Sequence, residues 1–343
     1  MNEATLSFRM VESMMFRGPG EFDPFVRGTY SKALSLILPT PSTIAGVLAT
    51  YCISKFNKSI PTVKSWIEEY LSILGNDVSI KGPMLLMDNE FFVEDKCLNS
   101  FLSFEELKEK CRMEYKRFNS IRKIDDLEDY IKLEKLKFKK KVLRDIRIGV
   151  GLQVRNGVKT VKEEGGLYSA EYLDYRSLAS KKEQPIEVLA DIKGKLVNEL
   201  LEQHAIVKLG GETRIALMKC SKGNRILSEI REKLWHGKEK YRGIIALYLA
   251  TPALLKGGEK VEEYIKKWMK KQNFEFKGIL GESEVLGAGY SINKDRRKPI
   301  YTSLKPGSII YLNGEFELSS TYWELSIGEA TEIGYGTLLA VPL

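Results

Sequence analysis

The chain has 343 residues, 43 % of them hydrophobic and 29 % charged, and its 54 Lys and Arg against 46 Asp and Glu give a formal net charge of +8. That length supports two domains with cores of their own. The absence of any run of about 18 apolar residues argues against a membrane-spanning helix, and the opening Met1-Asn2-Glu3-Ala4-Thr5 has neither the basic nor the apolar region of a secretory leader, so a cytoplasmic protein with no membrane partner is expected.

Leu6, Phe8 and Met10 alternate with Ser7, Arg9 and Val11, which predicts a strand from Thr5 to Val11. A loop bearing Gly and Pro leads to Leu38-Pro39-Thr40-Pro41, after which Ser42 or Thr43 caps a helix whose apolar face holds Ile44, Val47, Leu48 and Tyr51. A second helix starts near Thr62, with Val63, Trp66, Ile67, Tyr70 and Leu71 at helical spacing. Val78 to Met87 and Phe91 to Val93 read as strands joined by Asp88-Asn89. From about Phe101 to Arg147 helix formers and charges dominate, a helical insertion whose basic end carries Lys135, Lys137, Lys139, Lys140, Lys141, Arg144 and Arg147; for most of these a solvated helix face suffices.

Strands are then predicted from Ile148 to Arg155, ahead of the hairpin turn Asn156-Gly157, from Leu167 to Tyr175 and from Ile186 to Ile192. A short helix follows from Leu196 to Leu201, and Ala205 to Leu209 and Arg214 to Met218 form two strands about Gly210-Gly211. Ile226 to Trp235 is a connecting helix, Arg242 to Ala250 an apolar strand, and Val261, Tyr264, Ile265, Trp268 and Met269 mark an amphipathic helix. The last strands run from Glu275 to Leu280, Val285 to Asn293, Ser308 to Leu312 and Leu338 to Val341. Each half thus reads as strand, helix, then further strands. This predicts an α+β fold of two fused ferredoxin-like (RRM-like) domains with helical and hairpin insertions, an N-terminal one over 1–222 with the insertion at about 101–147 and a C-terminal one over 223–343. Antiparallel sheets of that kind offer an open face of the sort that holds RNA.

The chemistry-bearing residues point to an anion rather than to catalysis. Glycine permits close backbone approach, and its N–H groups can face anionic oxygens; in a chain of net charge +8 the anion indicated is a nucleic-acid backbone. In Phe16-Arg17-Gly18-Pro19-Gly20 and on to Arg27, the two arginines can pair with phosphates while Gly18 and Gly20 allow approach, though a turn with surface arginines would look alike. Gly334-Tyr335-Gly336 can wrap phosphates with Tyr335 stacked on a base, or be a turn before the last strand; it lacks the third glycine of a dinucleotide fingerprint and the Lys-Ser/Thr of a Walker motif. Gly210-Gly211 is a bend that aims Arg214 at RNA or merely a bulge. Lys294, Arg296, Arg297 and Lys298 form the densest basic cluster of the second half, and Arg155, Lys159 and Lys162 flank Asn156-Gly157.

Catalysis has little to draw on. His204 and His236 are the two histidines, candidates for a ribonuclease's general base but without a recognisable setting, and Asp23 before Pro24 reads as an Asx turn. Cys52, Cys97, Cys111 and Cys220 show no C-x-x-C spacing and read as reduced packing thiols, so neither metal nor cofactor is expected.

Five further stretches carry a resemblance: Phe16 to Asp23, Leu38-Pro39-Thr40-Pro41-Ser42-Thr43-Ile44-Ala45-Gly46, Arg147 to Leu152, Gly165-Gly166-Leu167-Tyr168 and Leu209-Gly210-Gly211-Glu212-Thr213-Arg214, closed by Glu332-Ile333-Gly334-Tyr335-Gly336. In their order the chain resembles RAMP-superfamily proteins of type III-B CRISPR (Cmr) effector complexes, in particular the subunit that caps the 5′ end of the crRNA. The resemblance spans nearly the whole chain and fits the 101–147 insertion least. It implies a non-catalytic protein that grips the 5′ tag of the crRNA and docks to the large polymerase-like subunit and to the first backbone RAMP subunit, in a complex whose cutting belongs to the backbone subunits. It also implies a thumb-like role for the hairpin at Arg155 and Lys159, and places Asp23 in a loop similar to the one that holds the backbone subunits' cleaving aspartate. Two alternatives stay open: a metal-independent endoribonuclease of the same superfamily that processes crRNA, and the equivalent subunit of a type III-A complex.

Overall fold

Side-chain alternation in β1 (Glu3–Met10) sets the first layer: Ala4, Leu6 and Phe8 are buried on one face, while Ser7 and Arg9 lie on the other. In this computed structural model the described residues are 2–18, 32–59, 63, 65–98, 100–120, 143–150, 152–155, 158–161, 167–175, 185–211, 213–255, 261–271, 274–291 and 296–343. The buried face of β1 is roofed by α1 (Pro41–Phe56) and α2 (Trp66–Leu74) through Ile44, Leu48, Cys52, Trp66 and Ile73. Thr40, not Ser42 or Thr43, caps α1, its hydroxyl accepting from the Thr43 N–H at 3.3 Å. Pro41 explains the shift, since its fixed φ and missing N–H suit the first helical position. Ser65 and Glu68 form a capping box, so α2 opens at Trp66 rather than near Thr62.

β2 (Ser79–Met87) turns back into β3 (Glu90–Asp95) through Asp88 and Asn89, both left-handed at φ 50° and 62°, the geometry a two-residue hairpin loop demands. β4 (Ser100–Ser103) leads into α3 (Phe104–Ser120), whose start is closed by reciprocal bonds between Ser103 and Glu106. The helical reading of 101–147 thus holds over Phe104–Ser120. It fails at its basic end, because Arg144 and Arg147 lie in a strand, β5 (Leu143–Val150). Lys135, Lys137, Lys139, Lys140 and Lys141 lie outside the described residues. β5 pairs antiparallel with β6 (Leu167–Asp174) in one long hairpin, and within the stretch of chain that joins them Leu152–Arg155 pairs with Val158–Val161 as a separate ladder.

β7 (Glu187–Lys193), β8 (His204–Lys208) and β9 (Ile215–Lys222) complete a seven-stranded sheet in the order β8-β9-β1-β7-β2-β3-β4, antiparallel throughout. The connecting helix is short, α4 (Arg225–Glu229), and continues as a π-turn over Ile230–Leu234.

The second half contains β10 (Lys240–Leu249), β11 (Ala253–Leu255), α5 (Val261–Lys270), β12 (Glu275–Leu280), β13 (Ser283–Gly287), β14 (Ile300–Leu304), β15 (Ile309–Glu317), α6 (Leu318–Glu324) and β16 (Leu338–Pro342). Its main sheet runs β12-β15-β10-β16, again antiparallel, and β11-β14-β13 form a second, smaller one. The strand expected from Val285 to Asn293 is broken: β13 ends at Gly287, and Tyr290–Ser291 pairs instead with Arg296–Arg297. The fold is a mixed α/β one built on antiparallel sheets. Among the described residues no helix is long and apolar enough to cross a membrane.

The halves share their cores. Met84, Leu86, Phe91 and Leu189, on the face of the first sheet away from α1, pack with Leu107 and Cys111 of α3 and with Ile245, Leu247 and Leu312 of the second sheet. Two carboxylates are sealed in this seam. Asp95 is fully buried and takes Lys110 Nζ at 2.5 Å, Tyr248 Oη at 3.1 Å and the Leu98 N–H at 2.9 Å, while Lys110 also donates to Gly307 O at 3.2 Å. Asp191 accepts from Thr5 Oγ1 at 2.6 Å, from the Leu227 N–H at 3.1 Å and from Tyr322 Oη at 3.2 Å, binding β1, α4 and α6 to β7. Burial pushes Asp191 up to about 6, although its hydrogen bonds oppose the rise.

Two measurements follow. Lys110→Met strands the Asp95 charge and is expected to cost about 3–5 kcal/mol in denaturant unfolding, with part recovered in the Asp95→Asn/Lys110→Met double variant. The unfolded Asp191 carboxyl loses its proton near its ordinary 3.8 and the folded one only near 6. Its contribution to stability therefore falls as pH rises between those values and is flat above them, by up to about 3 kcal/mol. Asp191→Asn should lack that slope in pH-dependent unfolding.

Candidate nucleic-acid interface

Three of the predicted RNA-contacting elements meet at one place, the segment that follows β1. Met14 exchanges two backbone hydrogen bonds with Leu173 of β6, at 3.0 and 2.7 Å. Phe16–Arg17 pairs with Ser35–Leu36, and Ser35 donates its N–H to Glu171 of β6 at 2.9 Å. On the other side the Gly211 N–H donates to Met15 O at 2.7 Å. The root of the Arg17 loop, the base of the long hairpin and the Gly210-Gly211 bend are therefore one junction.

Its polar centre is Tyr172, which is buried at 6 % exposure. The guanidinium carbons of Arg147 and Arg214 lie 4.7 and 4.5 Å from its ring centroid. Arginine stacks on aromatic faces because the ring quadrupole attracts its delocalised charge. Glu12 pairs with Arg214 and accepts from the Ile215 N–H at 3.1 Å. Desolvation works against its charged form, but the Ile215 N–H and the Arg214 guanidinium outweigh it and hold the carboxyl below its usual range. Arg147 remains exposed, with Asp145 at 2.8 Å. Arg17 is exposed beside this junction.

Several readings of the glycine segments are corrected. Arg214 does not project as a free phosphate ligand: it is committed to Glu12 and Tyr172. At Gly210, φ is +93° and a Cβ would sit 2.4 Å from Met15 O, so the glycine lets backbone approach backbone. The Gly211 N–H is spent on Met15, and the Gly18 N–H donates to Leu34 O at 2.9 Å. Gly334, Tyr335 and Gly336 donate their N–H groups to Thr331 O, Ala330 O and Pro252 O. The Tyr335 ring is 1 % exposed, edge-on to Trp66, with its hydroxyl bonded to Ser42 Oγ at 3.1 Å. A base has no ring face to stack on there, and the loop is a packing device between the halves.

The second basic cluster stands on its own hairpin, with Arg296 opposite Ser291 and Arg297 opposite Tyr290. Its next residue, Lys298, is clamped to α2: the ammonium donates to Tyr70 Oη at 2.6 Å and lies 4.6 and 5.4 Å from the Tyr70 and Trp66 ring centroids. Burial pushes this lysine down to about 8. The clamp escaped sequence reasoning because its partners are 228 residues apart. Arg155 and Lys159 lie in the short ladder between β5 and β6 in the chain, opposite Val158 and Val154. Gly20, Asp23, Arg27, Lys162 and Lys294 lie outside the described residues.

His204 lies on edge strand β8, and His236, left-handed at φ 51°, sits against Lys108 Nζ of α3, so the two occupy separate elements. Among the described residues no three His, Cys, Asp or Glu side chains gather as a metal site.

Residues 94–343 match the family model described as CRISPR-associated protein (Cas_Cmr3). The chain is 28 % identical over 317 residues to the CRISPR system CMR subunit Cmr3 of Saccharolobus solfataricus, covering 88 % of this chain and 83 % of that protein. Its fold is similar to a chain in the cryo-EM structure of the type III-B Cmr-beta complex bound to cognate target RNA, with TM-score 0.63, 21 % identity and coverage of 97 % and 96 % of the two chains. A second structure of that complex, with AMPPnP, gives TM-score 0.60 at 20 % identity, over 97 % of this chain and 95 % of that one.

The junction is tested by paired glycines. Gly210 and Gly223 both have φ +93°, but a Cβ at Gly223 meets nothing within 4 Å. Gly223→Ala is expected to cost about 1–2 kcal/mol of left-handed strain, and Gly210→Ala clearly more, read as the difference in their denaturation midpoints.

Proposed function

Because the chain belongs to the Cas_Cmr3 family of CRISPR-associated proteins, matched over residues 94–343, we propose that it is a non-catalytic crRNA-binding subunit of a type III-B effector complex. It anchors the 5′ tag of the guide and links the large polymerase-like subunit to the first backbone RAMP subunit, in the cytoplasm. The observation that carries the RNA reading is the junction at Met14 to Phe16. One junction gathers Arg17, the exposed Arg147 and the base of the long hairpin, and Arg155 and Lys159 belong to the stretch that joins the hairpin's two strands. Cations set at the ends of a fixed frame suit the backbone of a single strand. The similarity to a chain of an RNA-bound Cmr-beta complex supports the same reading.

The same proposal takes each half as ferredoxin-like, divided at 222/223. Strands β1, β2, β7 and β9 lie in the spatial order β9-β1-β7-β2, and β10, β12, β15 and β16 in the order β16-β10-β15-β12. Both orders are fourth, first, third, second in chain sequence, with helices between the first and second strands of each set. The long hairpin then stands as an insertion between the second and third strands of the first half, and the Tyr290–Arg297 hairpin occupies the matching place in the second.

Gel shifts with tag-bearing and tag-scrambled guide RNA, run beside denaturing gels, test the proposal. Tag-dependent binding with intact RNA is expected, and Arg17→Ala should reduce the log–log salt slope by about 0.7 if it holds one phosphate. Reproducible cleavage of repeat RNA, lost on changing His204 or His236, would make the chain a processing nuclease instead.

A further inference from the structure

The two edges of the seven-stranded sheet are treated differently. β4, at one edge, is four residues long and wholly buried, with α3 following directly. β8, at the other, has no strand beyond it among the described residues. Leu209 donates its N–H to Arg214 O and Cys220 donates to Gln203 O, so residues 203, 205, 207 and 209 form the hydrogen-bonded pairs with β9. Strict alternation leaves the N–H groups of His204, Ile206 and Lys208 directed away from the sheet. Uncovered edges of this kind are templates for another strand, and proteins ordinarily blunt them.

The open face beside this edge is apolar as well. Ile206 is 72 % exposed, Leu217 40 % and Ile215 38 %, although the opposite sides of both strands lie in the core. Arg9, Leu217 and Ile206 are neighbours across three strands, as are Ser7, Lys219 and His204, and together they line a shallow groove of about 400 Å³. Arg9 and Lys219 line it, and Lys208 lies further along β8. Glu187, the acidic group in the groove, is opposite Arg9 on β7 and 3.8 Å from Arg225, and Arg9, Lys208 and Lys219 form no ion pair among the described residues.

We propose that β8 and the adjoining face of β9 and β1 are a docking surface for an extended, acidic segment of a partner protein, which adds as an eighth strand along His204–Lys208. The inference rests on the reading of the chain as a subunit of a multisubunit complex. The free N–H row supplies the main-chain bonds, Ile206, Ile215 and Leu217 take the partner's inward apolar side chains, and Arg9, Lys208 and Lys219 pair with its carboxylates. A single-stranded RNA fits less well: of the groups that stack on bases the groove has His204 and Arg9 but no Phe, Tyr or Trp, and a nucleic-acid strand cannot continue the main-chain ladder of β8.

Hydrogen exchange at the amides of His204, Ile206 and Lys208 tests this in three samples: the chain alone, the chain with tag-bearing crRNA, and the chain co-assembled with the other subunits of its type III-B complex. The expected result is exchange slowed by about tenfold or more in the assembly only. Ile206→Glu and, separately, Lys219→Glu should lower incorporation into the assembly by about tenfold while the isolated variants keep the parent's denaturation midpoint and tag binding. Unslowed exchange in the assembly would overturn the proposal. Slowing by crRNA alone would assign the face to RNA, and slowing in the lone chain with rising concentration would assign it to a second copy; either overturns it. Failure of tag binding with the edge still protected would refute the RNA role and leave this surface standing.

Discussion

An ionised carboxylate cannot be taken out of water without company, and Asp95 is fully out of water. The company comes from Lys110 on α3, Tyr248 on β10 and the Leu98 N–H, and Lys110 in turn donates to the carbonyl of Gly307 in the second half. None of these can move without stranding a charge, so the second sheet is held on the first in one position. Asp191 repeats the device on the neighbouring strand β7, drawing in the start of α4 and Tyr322. The apolar cluster that includes Leu86 of the first sheet and Leu247 of the second supplies bulk attraction across the seam. The hydrogen-bonded carboxylates supply direction, because a bond that must be met at about 3 Å tolerates little sliding.

Elements with one face in a core and one in water are those most visible in the sequence. β1 is read almost to its ends because Ala4, Leu6 and Phe8 alternate with polar neighbours, and the β2–β3 turn is announced by Asp88-Asn89. The first part of β5 is hidden because Arg144, Asp145 and Arg147 belong to a small sheet of β5, β6 and Lys32–Ala33, where neither face has to be apolar throughout and charge density imitates a solvated helix; its end, Ile148–Val150, falls in the strand read from Ile148. The π-turn after α4 has no local signature either: Ile230 and Leu234 are both buried, so its register answers to the core rather than to helical spacing.

The candidate interface was legible in its parts and not in its wiring. The glycine segments do mark close approach, but a glycine does not say what approaches. At Gly336 a Cβ would sit 1.7 Å from Ile327 O, and at Gly334 it would meet Gly82 O at 2.8 Å. There the visitor is the protein's own backbone. Arg214 likewise carries the charge expected of it but directs it inward, onto Tyr172 and Glu12. Lys298 gains its aromatic partners from the distant helix α2 and Arg147 from the facing strand β6, and such pairings exist only once the fold has formed.

The long hairpin has a mechanical side. Its eight paired rungs from Asp174 and Leu143 to Leu167 and Val150 give a beam of about 25 Å at roughly 3.4 Å per residue. The beam is gripped near one end, by Met14 at Leu173 and by two arginines on Tyr172. A tilt of about 5° at that grip would swing the far end by about 2 Å, two-thirds of a hydrogen-bond length. The pivot and the root of the Arg17 loop are the same few residues, so leverage applied at the Leu167–Val150 end of the beam is felt first by the backbone of Met14 to Phe16.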